Sequence, residues 1–145
     1  MDELTIERAS HITESDVADI TNLIAALTSK PHPADTELLQ QIIDSPSHAL
    51  LLARLSGKVV GMATVALLLG PAAGRKIYLD DFVADPTIQG RGVGSRLWDA
   101  IIDWGREQGA LKLEFTSRPE REAAQQFYLK KGAVVRSTNA FAKEL

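Results

Sequence analysis

Asp85-Pro86-Thr87-Ile88-Gln89-Gly90-Arg91-Gly92-Val93-Gly94-Ser95-Arg96-Leu97-Trp98 is the stretch on which the reading of the fold turns. An apolar run, Ile77 to Ala84, leads into it, and an amphipathic pattern from Val93 to about Gln108 leaves it. That order predicts a strand, a glycine-rich turn and a helix. Such a turn aims unpaired backbone N–H groups at one spot, with the positive end of a helix dipole behind them. A phosphate-bearing ligand suits that place, and glycines let it approach the backbone closely.

Known phosphate loops narrow the choice. A P-loop closes on Gly-Lys-Ser/Thr, whereas Gly94 is followed by Ser95 and Arg96. A dinucleotide fingerprint requires G-x-G-x-x-G within a repeated βαβ unit, and here Gly90, Gly92 and Gly94 have the wrong last spacing and no repeated half. What remains is Gln89-x-x-Gly92-x-Gly94. It resembles the Arg/Gln-x-x-Gly-x-Gly/Ala pyrophosphate loop of the GNAT superfamily, the acyl-CoA-dependent N-acetyltransferases. A second signature lies downstream, where Ala123-Ala124-Gln125-Gln126-Phe127-Tyr128-Leu129-Lys130-Lys131-Gly132-Ala133 looks like that family's A-x-x-F/L-Y-x-x-x-G-F/A segment.

Working outward, Leu4 to Ala9 alternates as a half-buried strand does. Thr13 and Asp16 read as a capping pair, with Val17, Ile20, Ile24 and Leu27 on one helical face. A second helix is expected over Asp35 to Asp44, then a hairpin of His48 to Leu55 and Val59 to Leu68 about Ser56-Gly57-Lys58. Gly70 to Gly74 is a loop. Beyond the long helix, Gly109 is a C-cap, Leu111 to Phe115 a buried strand, and Pro119 opens a helix running to about Lys131. Ala133 to Arg136 and Ala140 to Lys143 are expected to form a closing hairpin. The order β-α-α-β-β-β-α-β-α-β-β is similar to the GNAT fold, an α/β (α+β) architecture. It implies a central mixed, mostly antiparallel sheet flanked by about four helices in a single domain over 1–145.

The chain has 145 residues, 45% hydrophobic and 24% charged, which suits one globular domain. It has no cysteine, so a thiol nucleophile, a disulfide framework and a cysteine zinc site are excluded. A net charge of −3 argues against nucleic acid as the main partner. No apolar run approaches a membrane span, and Met1-Asp2-Glu3 lacks a signal-peptide layout, so a cytoplasmic protein is expected. His11, His32 and His48 show no metal-ligand spacing, and no metal is expected. Trp98 and Trp104 fall at core spacing.

The resemblance implies a set of roles. Gln89, Gly90, Arg91, Gly92, Val93, Gly94 and Ser95 would cradle the CoA pyrophosphate, mainly through backbone N–H, with Arg91 and Arg96 as further donors. Phe82, Val83 and Ala84 would present their backbone to the pantetheine arm as an added strand does, with a backbone N–H such as that of Val83 facing the thioester oxygen. Tyr128 matches the family's general-acid tyrosine. An alkylammonium must lose a proton before it attacks. For the base, two adjacent acids inside an apolar strand stand out, Asp80 and Asp81. Alternation puts them on opposite faces, Asp80 with Tyr78, Phe82 and Ala84. Asp80 is favoured as the base, directly or through water, with Asp81 binding the substrate amine or capping a strand; a purely structural role for both is the alternative of equal weight.

Two positions depart from the family pattern. Tyr78 stands where some relatives carry an acid, and Arg121 stands where many carry an asparagine that touches CoA.

The implied activity is acetyl transfer from acetyl-CoA to a primary amine of a small molecule or peptide, by direct attack in a ternary complex. The alternative is a non-catalytic CoA-binding sensor. The acceptor would be met by the region from Thr13 to Asp44 and by the loop from Leu69 to Lys76; Asp16, Asp19, Glu37 and Asp44 read first as a solvated acidic helix face, with attraction of a cationic amine as the other reading. The family's habit of pairing two copies allows a homodimer.

Overall fold

The computed structural model describes residues 3–88 and 90–145. The chain falls into two compact units, Met1–Glu114 and Phe115–Leu145.

The first unit is built on one five-stranded sheet in the order β1-β2-β3-β4-β5. Its strands are β1 (Leu4–Arg8), β2 (His48–Leu55), β3 (Lys58–Gly70), β4 (Gly74–Ala84) and β5 (Leu113–Glu114). Neighbours from β1 to β4 are antiparallel, and β4 pairs β5 in parallel. The sheet is therefore mixed and mostly antiparallel, as the sequence predicts.

Helices α1 (Glu14–Leu27) and α2 (Thr36–Asp44) cover one face. Ile20, Leu23 and Leu39 from these helices pack with Leu50, Leu52, Val59, Met62 and Val83 from the strands. Burying each such side chain stabilises the fold by about 1.5–3 kcal/mol. The first turn of α1 carries the expected capping box: Asp16 N–H donates to Thr13 Oγ1 at 3.1 Å and Thr13 N–H to Asp16 Oδ2 at 3.2 Å.

Helix α3 (Val93–Glu107) lies on the other face. Val93, Leu97, Trp98, Ile101 and Trp104 bury one side of it at helical spacing. Its first turn sits close to β3 because Gly61 offers no side chain there. A Cβ on Gly61 of β3 would stand 2.7 Å from Val93 Cγ1 and 3.0 Å from Leu97 Cδ1.

Strand β4 does not alternate throughout. Thr64 pairs with Asp81 and Val65 with Leu79, so Asp80 is an extra residue with none opposite it. Such a bulge reverses the parity of side chains beyond it and bends the strand. Hence Ile77 abuts Gly105 of α3, and Phe82 also faces α3, its ring 6.4 Å from that of Trp98. Val83 joins the α1 and α2 side instead. The expectation that Tyr78, Asp80, Phe82 and Ala84 share a face is corrected: Tyr78, Asp80 and Asp81 fall on the α1 and α2 side, and Phe82 on the α3 side.

Strand β5 is short. Only Ile77 pairs with Leu113 and Tyr78 with Glu114, so the expected strand over Leu111 to Phe115 shrinks to two residues, with Leu111 85% exposed. In the second unit, α4 (Glu122–Lys130) starts after the turn that holds Pro119 and stops before Gly132. The closing hairpin expected over Ala133 to Lys143 is not formed as strands. Val134, Val135 and Phe141 are 78%, 84% and 92% exposed there. Two four-residue arms with no covered face bury too little to hold a hairpin together.

Candidate functional site

The turn from β4 into α3 is fixed at its entrance and open at its exit. Asp85 N–H donates to Val60 O at 2.8 Å, and Ile88 N–H to Asp85 O at 3.0 Å. Thr87 donates to Asp85 Oδ1 twice, from N–H at 2.9 Å and from Oγ1 at 2.7 Å. These bonds hold the Asp85 carboxyl below its ordinary range.

Gly92 is the N-cap of α3, at φ 71° and ψ 26°, in the left-handed region where an L side chain is strained. Among the described residues no side chain caps this helix start, and its first turn holds no acidic residue. Arg96 N–H, at 3.0 Å from Gly92 O, makes the first turn's closing bond. The N–H groups of Val93, Gly94 and Ser95 come before that bond and lack intrahelical acceptors. This is the donor set an anion requires. Gly90 and Arg91 are exposed beside it, while Gln89 lies outside the described residues. Arg96 donates instead to the Leu4 carbonyl of β1, so its guanidinium ties the helix start to the sheet.

Strand β4 carries the other half of this region. Its ladder to β5 ends at Tyr78, and Phe82, Val83 and Ala84 lie past that point on the way to the glycine turn. Asp80 and Asp81 stand between the two. Burial, and then the negative charge of Asp81, hold the Asp80 carboxyl above its ordinary value. The residue keeps an open surface, so water screens part of that push. Thr64 Oγ1 donates to Asp81 Oδ2 at 3.0 Å. This partner was not legible in sequence, because it follows from the bulge register.

Tyr128 belongs to the second unit. It is 8% exposed on α4, with its ring 4.6 Å from that of Phe115 and 5.9 Å from that of Phe127, both edge-on. Burial raises the phenol above its ordinary value, and the positive charge of Arg121 opposes this in part. The hydroxyl thus keeps its proton at neutral pH. Arg121 itself is the N-cap residue of α4. Asp80, Asp81, the 82–84 segment and the glycine turn therefore lie in one unit, and Tyr128 in the other.

Most acids of the expected acceptor region are engaged in the fold. Asp16 is buried and bonds Arg54 at 2.7 and 3.0 Å, and that bond lowers its carboxyl. Asp19 accepts from Val59 N–H at 3.0 Å, and Asp44 from Gln40 Nε2 at 2.9 Å. Among the described residues there is no cluster of three His, Cys, Asp or Glu able to hold a metal ion, and no helix is long and apolar enough to cross a membrane.

Comparison with known proteins agrees with this architecture. The model of the acetyltransferase (GNAT) family matches residues 17–133, and the chain belongs to that family. No curated protein matches the sequence. Among solved structures, a transcriptional regulator from Bacillus halodurans C-125 superposes with a TM-score of 0.83 at 19% identity, over 99% of this chain and 100% of that one. The aminoglycoside N-acetyltransferase AAC(6')-Iy in complex with CoA gives 0.80 at 19% identity, over 99% and 96%. A ribosomal-protein-alanine N-acetyltransferase from Brucella melitensis biovar Abortus 2308 gives 0.77 at 19% identity, over 99% and 98%. At such identities the likeness establishes the fold.

Proposed function

We propose that the chain works as a single N-acetyltransferase domain over 1–145, moving an acetyl group from acetyl-CoA to a primary amine by direct attack in a ternary complex. The observation that carries this reading is a helix start at Gly92 that no described side chain caps, reached from a strand whose ladder to β5 ends at Tyr78. The first feature suits a pyrophosphate, and the second offers main-chain groups to a pantetheine arm. A similar fold solved with CoA supports the same donor.

In this reading Gly90 to Ser95, with Gln89, hold the diphosphate, and Phe82 to Ala84 hold the arm, with Val83 N–H directed at the thioester oxygen. Asp80 accepts a proton from the acceptor's ammonium, directly or through water. The free amine then forms the C–N bond to the acetyl carbon, and the C–S bond breaks. Tyr128 donates its proton to the departing sulfur, and the second proton lost by the nitrogen returns through solvent to the phenolate. The chain has no cysteine, and this route uses no thiol acyl-enzyme.

The acceptor is a small molecule or a peptide amine, since similar folds include enzymes named for aminoglycosides and for a ribosomal-protein alanine. A cytoplasmic setting and a homodimer fit the reading.

The test is free-thiol release from acetyl-CoA over a panel of kanamycin, spermidine, tryptamine and a peptide beginning with alanine. It is paired with thermal shifts by acetyl-CoA, CoA, ATP and NAD. Stabilisation by CoA together with thiol release is expected. Stabilisation without release would leave a CoA sensor, and stabilisation by ATP or NAD alone would remove the reading.

A further inference from the structure

Two carboxylates side by side on one strand are ordinarily thrown to opposite faces by the pleat. The bulge at Asp80 cancels that separation. Asp81 lies opposite Thr64 and bonds it, on the face that Met62 and Val83 share with α1 and α2. Asp80 ends the run Lys76, Tyr78, Asp80 that reaches the same face from the other side of the slip. Two like charges this close repel, and chemically identical groups would compete for the same cation and the same proton.

Their surroundings make them different. Among the described residues no lysine or arginine forms an ion pair with either acid. Lys76, the nearest cation along the strand, is bonded at 2.8 Å to Glu114, which also holds Lys112 at 3.4 Å. From α1, Asp16 is taken by Arg54 and Asp19 by Val59 N–H. Of the two acids, Asp81 is the one with a hydroxyl donor among the described residues, Thr64, and that bond holds Oδ2.

We propose that Thr64 is a positioning residue for the transfer: by holding Oδ2 of Asp81 it aims Oδ1 as the anchor for the acceptor's ammonium, and leaves Asp80 as the group that takes the proton. The division of labour rests on the acetyltransferase reading above. It also narrows the acceptor class to aliphatic amines that arrive protonated.

The experiment is steady-state kinetics with acetyl-CoA and the panel amine that releases most thiol, on wild type, Thr64→Val, Thr64→Ser, Asp81→Asn and the Thr64→Val/Asp81→Asn double variant. Losing one hydrogen bond to a charged group predicts a rise of ~10-fold in KM for the amine in Thr64→Val. KM for acetyl-CoA should stay unchanged, and Thr64→Ser should restore the amine KM. In the Asp81→Asn background the Thr64→Val change should have no further effect. A wild-type amine KM in Thr64→Val, a failure of serine to rescue, or an undiminished effect without Asp81 would each overturn the proposal. Should Thr64→Val not fold, Thr64→Ala carries the same comparison. If no amine releases thiol with the wild type, the acetyltransferase reading fails and this inference falls with it. If thiol is released and the Thr64 variants behave as wild type, the inference alone falls.

Discussion

Val93 Cγ1 occupies the space that a side chain on Gly61 would need, 2.7 Å from where its Cβ would sit. Contact between the first residue of α3 and the β3 backbone therefore sets the height of the glycine turn above the sheet. Gly61→Ala is expected to cost about 1–3 kcal/mol of stability, because neither Val93 nor the strand can give way freely. It should also weaken CoA binding, since the displaced atoms belong to the helix start. Thermal melting with and without CoA measures both effects. An alanine variant that melts and binds like wild type would show that this contact does not set the turn.

Asp80 predicts a pH dependence with a definite sign. It must be ionised to take a proton, and burial and Asp81 raise it, so the rate should climb with pH along a limb above the ordinary carboxylate range. Asp81→Asn removes one of the two causes and should move that limb to lower pH. Stability runs the other way. The folded form holds the Asp80 proton more tightly than the unfolded form, so stability falls as pH rises through the raised value. Near neutral pH, Asp80→Asn should therefore melt slightly higher than wild type while transferring acetyl ~10²-fold more slowly. Melting curves and thiol release against pH test the pair of outcomes.

Asp16 carries the opposite sign. Its carboxyl is lowered chiefly by Arg54, so the stability it contributes is present above the ordinary carboxylate value and is lost as pH falls through the lowered one. Asp16→Asn breaks a pair in which the Asp16 side chain is 4% exposed, and it weakens the capping box of α1. A loss of about 2–3 kcal/mol at neutral pH is expected, shrinking in acid, as read by urea unfolding at several pH values.

Tyr128→Phe should lower the acetyl-transfer rate by ~10²-fold if the phenol protonates the leaving sulfur. CoA affinity should be nearly unchanged, because the ring, which packs against Phe115 and Phe127, remains. Any alkaline limb caused by the phenol should vanish with it. Rates by thiol release and affinity by calorimetry separate the two. An unaltered rate would remove the acid assignment.

Local chemistry is what the sequence made legible. Thr13 and Asp16 announce a helix start because both bonds of the box span three residues. Val93, Leu97, Ile101 and Trp104 announce α3 because a helical face recurs within a few positions. Long-range pairing was not legible. Nothing near Asp81 signals that Thr64, 17 residues away, meets it, so strict alternation misplaces the faces of β4 beyond the slip. The acids of α1 read in sequence as a solvated face or a surface for a cationic amine, whereas Arg54, 38 residues from Asp16, binds that carboxylate. Leu111 and Val134 read as buried strand residues by type, yet their side chains are exposed, although Leu111 N–H donates to Arg75 O of β4 at 2.9 Å.

A helix whose N-cap is glycine leaves the completion of its first turn to a group other than its own N-cap side chain. An anion that fills that place on the folded chain alone shifts the unfolding equilibrium, by ~2.7 kcal/mol at a hundred times its dissociation constant. The unfolding midpoint of the purified chain would then rise with the concentration of the anion that fills this place.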